Sequence, residues 1–226
     1  KIQAQSPELR VPATHEASHF VFSKDDRLFA SLGESELKIW QTDGTYLLKS
    51  LPMPGSDTLY DTDLHFTPDN SKLVLIQNGR ISILNLLAFS WEKSVWKIEF
   101  TGGTGLSGDG RFLYYFTSGN GRNESLLMKL DLVTGKSAKL VNFKVEDGVS
   151  FGGKLSFNTG ESLLLASGLL DDGGILIDLK NLKVVRQFKA PYWPLFINLS
   201  GNLIVNSMVL TGNSDQDTYG KNKKFK

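Results

Sequence analysis

The sequence predicts an all-β fold, a small sheet-forming unit copied along the chain. Three observations carry this. A short phrase returns five times in 226 residues: an apolar strand, a polar turn with Asp, Gly or Asn, then a second apolar strand. Its anchors step from Phe22 to Phe66, Leu106, Phe157 and Ile197, intervals of 44, 40, 51 and 40 residues. A period of about 40–50 residues is that of one four-stranded blade of a β-propeller. No segment holds a 3.6-residue apolar period with the caps a helix needs.

The units follow in order. The first reads Phe22 to Leu28 across its turn and continues into a third strand, Leu37 to Gln41. The second runs Phe66 to Leu73, with a third strand from Ile81 to Asn85. Its fourth strand is predicted by alternation, Trp96, Ile98 and Phe100 on one side and Lys97 and Glu99 on the other. The third unit runs Leu106 to Phe112, with a third strand Leu127 to Asp131. A turn from Asp131 to Lys136 follows, in which Gly135 can supply a positive φ. The fourth runs Phe157 to Leu163 with a third strand Ile175 to Asp178, and the fifth Ile197 to Leu203. Units therefore begin near residues 18, 62, 104, 153 and 195, and residues 1–220 read as propeller. After Leu203 to Leu210 the fifth unit offers no good third strand, and Glu8 to Val11 is a candidate closing strand. A ring short of a strand leaves backbone groups unpaired. The units are thus read as part of a larger propeller or longer protein, with an irregularly closed five-bladed ring as the alternative.

Composition narrows the function classes. There is no cysteine, which excludes disulfides and Cys-based metal sites. Lys and Arg number 25 against 24 Asp and Glu, a formal charge of +1 that gives no reason to expect nucleic acid. The longest apolar runs, such as Leu73 to Ile76, are too short for membrane insertion. Residues 221–226 form a basic tail with four lysines and no acid, read as a solvated end. The opening Ile2 to Ser6 fits the scar of a cleaved signal segment, which leans towards a bacterial extracytoplasmic location.

The repeats resemble WD-repeat propeller blades, whose third strand ends in Trp-Asp and whose first turn reads Ser-Pro-Asp-Gly. Trp40 keeps the Trp; Asp131 and Asp178 keep the Asp; Thr67 to Asn70 and Ser107 to Gly110 keep the turn. The third unit, from Asp109 to Ser118 and Met128 to Gly135, is also similar to Tol-type propeller repeats. No unit holds a complete Trp-Asp. The resemblance implies a propeller and leaves the particular family open.

Several strings imitate catalytic motifs. His15-Glu16-Ala17-Ser18-His19 has the H-E-x-x-H spacing that on a helix places two zinc ligands and a base on one face. Pro12 upstream and a strand from Phe20 leave a helix no room, and on a strand the two imidazoles would stand about 13 Å apart. His65, Glu34 and Glu36 are the remaining candidates for a third ligand. Gly103 to Gly108 fits G-x-G-x-x-G but leads into a turn and a strand rather than a helix, so it reads as a loop between blades. Ser35/Lys38 and Ser94/Lys97 lie three apart on predicted strands, on opposite faces. Gly135-Lys136-Ser137 lacks the leading Gly of a P-loop and reads as a hairpin turn. Asn123 and Asn198 begin glycosylation sequons.

Recognition residues are expected on the loops at one rim of the blades. By register that rim takes in His15, His19, residues 58–63, 102–105 and 146–148, and Pro191 to Pro194. Tyr192 and Trp193, between two prolines, are the leading anchors, because aromatics dominate interface hot spots. Tyr60, flanked by Asp61 and Asp63, follows, and Asp171 and Asp172 lie in a second-to-third-strand loop. Trp91 is a candidate exposed aromatic on the outer edge. The expected function is a non-catalytic scaffold binding a protein or peptide on this rim, without a cofactor, as the sensor or docking portion of a larger protein. The alternative is a hydrolase, zinc-dependent through His15, Glu16 and His19 or glycan-active through rim carboxylates.

Overall fold

The computed structural model describes residues 17–43, 46–54, 62–92, 96–99, 102–119, 124–144, 155–167, 174–188, 195–197 and 204–206. Their structure is all-β, and no helix occurs among them. The fold is a β-propeller of four-stranded antiparallel blades. The chain divides into two compact units, Lys1–Ile98 and Glu99–Lys226, each holding two blades.

In the first unit, β1 (Ala17–Phe22), β2 (Leu28–Gly33), β3 (Glu36–Gln41) and β4 (Tyr46–Pro52) form one antiparallel sheet in chain order. The second sheet is β5 (Thr62–Phe66), β6 (Lys72–Gln77) and β7 (Arg80–Asn85), followed by two pieces, β8 (Ser90–Trp91) and β9 (Trp96–Lys97). Both pieces pair with β7. The predicted fourth strand is thus interrupted. Ile98 beyond it is buried and Lys97 exposed, as the alternation implies, and Phe100 lies outside the described residues.

In the second unit, β10 (Thr104–Leu106), β11 (Phe112–Ser118), β12 (Glu124–Asp131) and β13 (Ser137–Lys144) make the third sheet. β14 (Leu155–Phe157), β15 (Leu163–Ser167), β16 (Gly174–Asp178) and β17 (Lys183–Phe188) make the fourth. A fifth pair, β18 (Leu195–Ile197) and β19 (Ile204–Asn206), follows, with β18 against β14 and β15. Residues 1–16 and 207–226, with the proposed closing strand and basic tail, lie outside the described residues.

One hydrogen-bonded turn explains the repeated phrase. Ser23 Oγ donates to Asp25 Oδ1 at 2.7 Å and accepts from Leu28 N at 2.9 Å. Thr67 repeats this with Asp69 (2.7 Å) and Lys72 N (3.0 Å), and Ser107 with Asp109 (2.5 Å) and Phe112 N (2.9 Å). Asn158 takes the hydroxyl's place in the fourth blade, its Oδ1 accepting from Leu163 N at 2.9 Å. The backbone turns through a left-handed residue each time: Asp26, Asn70, Gly110 and Glu161. Short polar side chains suit this geometry because they satisfy local backbone donors that no strand partner reaches.

A second recurring turn follows the third strand. Asn85 Oδ1 accepts from Leu87 N and Ala88 N, Asp131 Oδ1 from Val133 N and Thr134 N, and Asp178 Oδ1 from Lys180 N and Asn181 N. The residue that ends strand three is polar because it caps that turn. Asn78 and Gly79, at φ 48° and 75°, make the two-residue hairpin between β6 and β7. The fourth strand carries the same irregularity in three blades, a register shift opposite Ile39/Trp40, Leu127/Met128 and Leu176/Ile177.

The inner strands are buried on both faces, as Leu73 to Ile76 and Ile81 to Leu84 show, and within each unit one face of each sheet joins a shared core. Ala30, Leu32, Leu37, Ile39 and Leu51 of the first sheet pack with Leu64, Phe66, Leu73, Leu75 and Leu84 of the second. Tyr114, Phe116, Leu127, Val141 and Phe143 of the third pack with Leu155, Leu164, Ala166, Ile175 and Ile177 of the fourth. Each such fully buried aliphatic side chain contributes about 1.5–3 kcal/mol of transfer free energy.

Candidate functional site

The described carboxylates of the turns are held by local hydrogen bonds. Hydroxyl and backbone donors hold the turn carboxylates Asp25, Asp69 and Asp109 below the ordinary Asp value; in each the Ser or Thr hydroxyl is the largest cause. Asp131 is lowered first by Arg111, whose Nη2 lies 2.7 Å from its Oδ2, and Asp178 first by Asn181. Burial pushes the Tyr114 phenol up, with the carboxylates of Glu161 and Asp109 adding to it.

The H-E-x-x-H string does not form a helix over its described part, since Ala17 to Phe22 is strand β1. His19 was placed with the rim loops and sits instead in that strand, its Nδ1 2.9 Å from Ser18 Oγ. Its β2 partner is Leu32, so it shares the face that meets the second sheet. Asp63 was expected in a loop and lies in β5, where its Oδ2 stands 3.3 Å from His65 Nε2. Both residues alternate with Leu64 and Phe66, which face the first sheet. The β5 backbone therefore separates His19 from the Asp63–His65 pair. Glu36 pairs with Lys38 Nζ at 2.9 Å. Among the described residues no three His, Asp or Glu side chains are grouped to hold a metal.

Other expectations are corrected too. Ser35 falls between β2 and β3 rather than on a strand. Trp91 is half-buried against the core of the first two sheets, and its Nε1 donates to Pro52 O at 3.3 Å. Residues 104 and 105 belong to strand β10 and not to a loop. Gly105 is glycine because β14 lies against it: a Cβ there would stand 2.7 Å from Phe157 Cε2 and 2.8 Å from Leu155 Cβ. Of the rim anchors, His15, Glu16, Tyr60, Asp61, Asp171, Asp172, Tyr192 and Trp193 lie outside the described residues.

What the structure adds is an apolar surface on the first sheet. Register aligns Phe22, Phe29, Trp40 and Leu47 across all four strands, on the face opposite Ala30 and Leu32; Trp40 in the middle of the row is buried and Phe29 partly so, which leaves Phe22 and Leu47 exposed at its ends. Phe29 and Trp40 stack at 5.5 Å and 2°, with Phe22 5.7 Å from Phe29. Trp40 is pinned by a 2.8 Å bond from its Nε1 to Ser31 Oγ. Phe20 (63% exposed) and Phe22 (61%) stand open to solvent on this face. Tyr46, Leu47 and Leu48 are also exposed along β4. Of nine large exposed hydrophobics among the described residues, these five belong to one sheet. They form two groups, Phe20 with Phe22 on β1 and Tyr46 to Leu48 on β4, at the two edges of the sheet; grouped apolar exposure marks interaction surfaces, whereas single exposed residues do not. The sequence signal was present in Phe20-Val21-Phe22, an alternation with aromatics on the side away from buried Ala30 and Leu32.

Comparison with known proteins bears on the architecture. No protein-family model and no curated protein matches the chain. One similar solved structure is titled "Kuenenia stuttgartiensis Hydrazine Synthase": identity is 14% and the TM-score 0.64, over 90% of this chain and 58% of that one. The chain thus spans less than two thirds of the length of the structure it resembles. At this identity the likeness is one of fold alone, and it sets the chain among β-propellers.

Proposed function

We propose that the chain is a non-catalytic β-propeller scaffold that binds a protein or peptide partner and serves as the sensor or docking portion of a larger protein. Its units are read as degenerate relatives of WD- and Tol-type repeats. The observation that carries the reading is the apolar exposure at the two edges of the first sheet, Phe20 and Phe22 on β1 and Tyr46, Leu47 and Leu48 on β4. Rigid aromatics lose few rotamers on binding and supply large contact areas. Tyr60, Asp61, Tyr192 and Trp193, read from the sequence as rim residues, complete the proposal as further contacts.

The test is selection of peptides from a displayed library on the immobilised chain, followed by titration against variants. Phe20→Ser/Phe22→Ser or Tyr192→Ala/Trp193→Ala is expected to weaken the selected peptides at least tenfold, about 1.4 kcal/mol, with far-UV circular dichroism unchanged. Failure to select any saturable binder overturns the reading. So does one bound zinc per chain that is lost in His15→Ala, which would favour a hydrolase.

A further inference from the structure

The outer edges of the four sheets are not equally guarded. A sheet's last strand offers unpaired backbone groups to any passing strand, and proteins blunt such edges with charge, interruption or short length. In the second sheet the edge is broken into β8 and β9, two residues each. β13 carries Lys139 and Lys144, and β17 carries Lys183 and Arg186, with no acid on either strand. β4 is guarded less: it is unbroken and has one charge, with Pro52 only at its end. It runs seven residues without interruption, is exposed from Tyr46 to Ser50, and presents Tyr46, Leu47 and Leu48 beside a single charge, Lys49. The register shift opposite Ile39/Trp40 does not set it apart, because β13 and β17 have the same one.

We propose that β4 is a strand-docking edge, taking up an extended segment of the partner as a fifth strand of the first sheet. This rests on the reading above that the chain binds a protein or peptide. Main-chain pairing would supply affinity, and alternate side chains the specificity. The neighbouring chemistry defines the segment. Apolar residues on one of its faces lie beside Leu47 and extend the Phe22–Phe29–Trp40–Leu47 row. An acidic residue meets Lys49, the strand's only charged group, which makes no ion pair among the described residues. A second copy of the chain would instead bring a second Lys49 to the same edge, so an acidic partner segment is favoured over self-pairing.

The experiment uses the whole chain and the peptides selected on it from a ten-residue library. Amide hydrogen exchange with and without peptide should show β4 amides slowed at least tenfold. The bound sequences should alternate apolar residues and carry Asp or Glu. Lys49→Glu and Leu47→Lys, the latter giving β4 the guard that β13 and β17 have, should each weaken them at least tenfold. Both substitutions sit on an exposed edge, and an unchanged melting temperature confirms the fold. Peptides that leave β4 exchange unaltered and respond only to Tyr192→Ala/Trp193→Ala overturn this inference while upholding the scaffold reading. Absence of any binder overturns both. A concentration-dependent dimer in sedimentation, abolished by Leu47→Lys, would assign the edge to a second copy and also overturn it.

Discussion

Replacing Gly105 by Ala tests how closely the third and fourth blades pack. The new Cβ would lie 2.7 Å from Phe157 Cε2, 2.8 Å from Leu155 Cβ and 3.2 Å from Phe157 Cζ. Carbon atoms at rest keep about 3.5–4.0 Å apart, so β10 and β14 must separate by roughly 0.8 Å or the Phe157 ring must turn. The ring also packs on Tyr114 at 5.1 Å, which limits where it can go. Overpacking of this kind costs about 1–3 kcal/mol. Against it stands a gain of about 0.4–1 kcal/mol from the smaller entropy of the unfolded chain with Ala. The net loss is about 1–2 kcal/mol, a fall in melting temperature of roughly 3–6 °C for a domain of this size. Urea unfolding followed by tryptophan fluorescence reads it as a lower midpoint at constant slope. Gly160→Ala is the control. Nothing lies within 4 Å of its Cβ position, so that variant is expected to be neutral or stabilised by about 0.4–1 kcal/mol. The loss at residue 105 should shrink when Phe157 is Leu, because the two sites share a contact. If Gly105→Ala behaves like Gly160→Ala, the packing argument fails.

Two further expectations concern the turns. Ser107→Ala removes the acceptor for Phe112 N and the donor to Asp109, and should lower stability by about 1–2 kcal/mol in the same unfolding assay. Because the carboxyls of Asp25, Asp69 and Asp109 are held below the ordinary value, their contribution is complete above the unfolded-state pKa, about 3.9. It is lost as pH falls below that value through the lowered ones. The stability gap between the wild type and Asp109→Asn should therefore close on acidification from pH 5 to pH 3, and a gap that widens would refute the assignment. Asp131→Ala should lower the unfolding midpoint by freeing Val133 N and Thr134 N. Asp131→Asn should be nearly neutral, since Asn85 caps the same turn in the second blade. Equal losses in the two would mean that the Arg111 ion pair, and not the cap, sets the residue.

The sequence made the repeat readable because each turn needs particular atoms. Ser or Thr two residues before Asp, and a polar residue closing the third strand, are local hydrogen-bonding requirements that a pattern can display. Contacts made by a neighbouring blade are different in kind. Gly105 looked like part of a glycine loop, since only the position of Phe157, 52 residues later, shows why a side chain is excluded there. Asp63 read as loop because polar residues usually mark loops, but it lies in β5 beside buried Ile76, and its carboxylate is met by His65 on the same face. Alternation grouped Phe20 with Phe22 without telling whether anything covers them. Trp91 was misplaced for the converse reason: its strand is short, but its ring finds Pro52 and the core.

Hydrogen exchange of the free chain tests the central claim most directly, that four-stranded sheets pack in pairs within each unit and leave the first sheet's outer edge open. The slowest amides should recur in pairs of inner strands, β2 with β3, β6 with β7, β11 with β12 and β15 with β16, while outward amides of β4 from Tyr46 to Ser50 exchange fast. Protection in β4 equal to that in β3, or slow amides without this fourfold recurrence, would contradict the account.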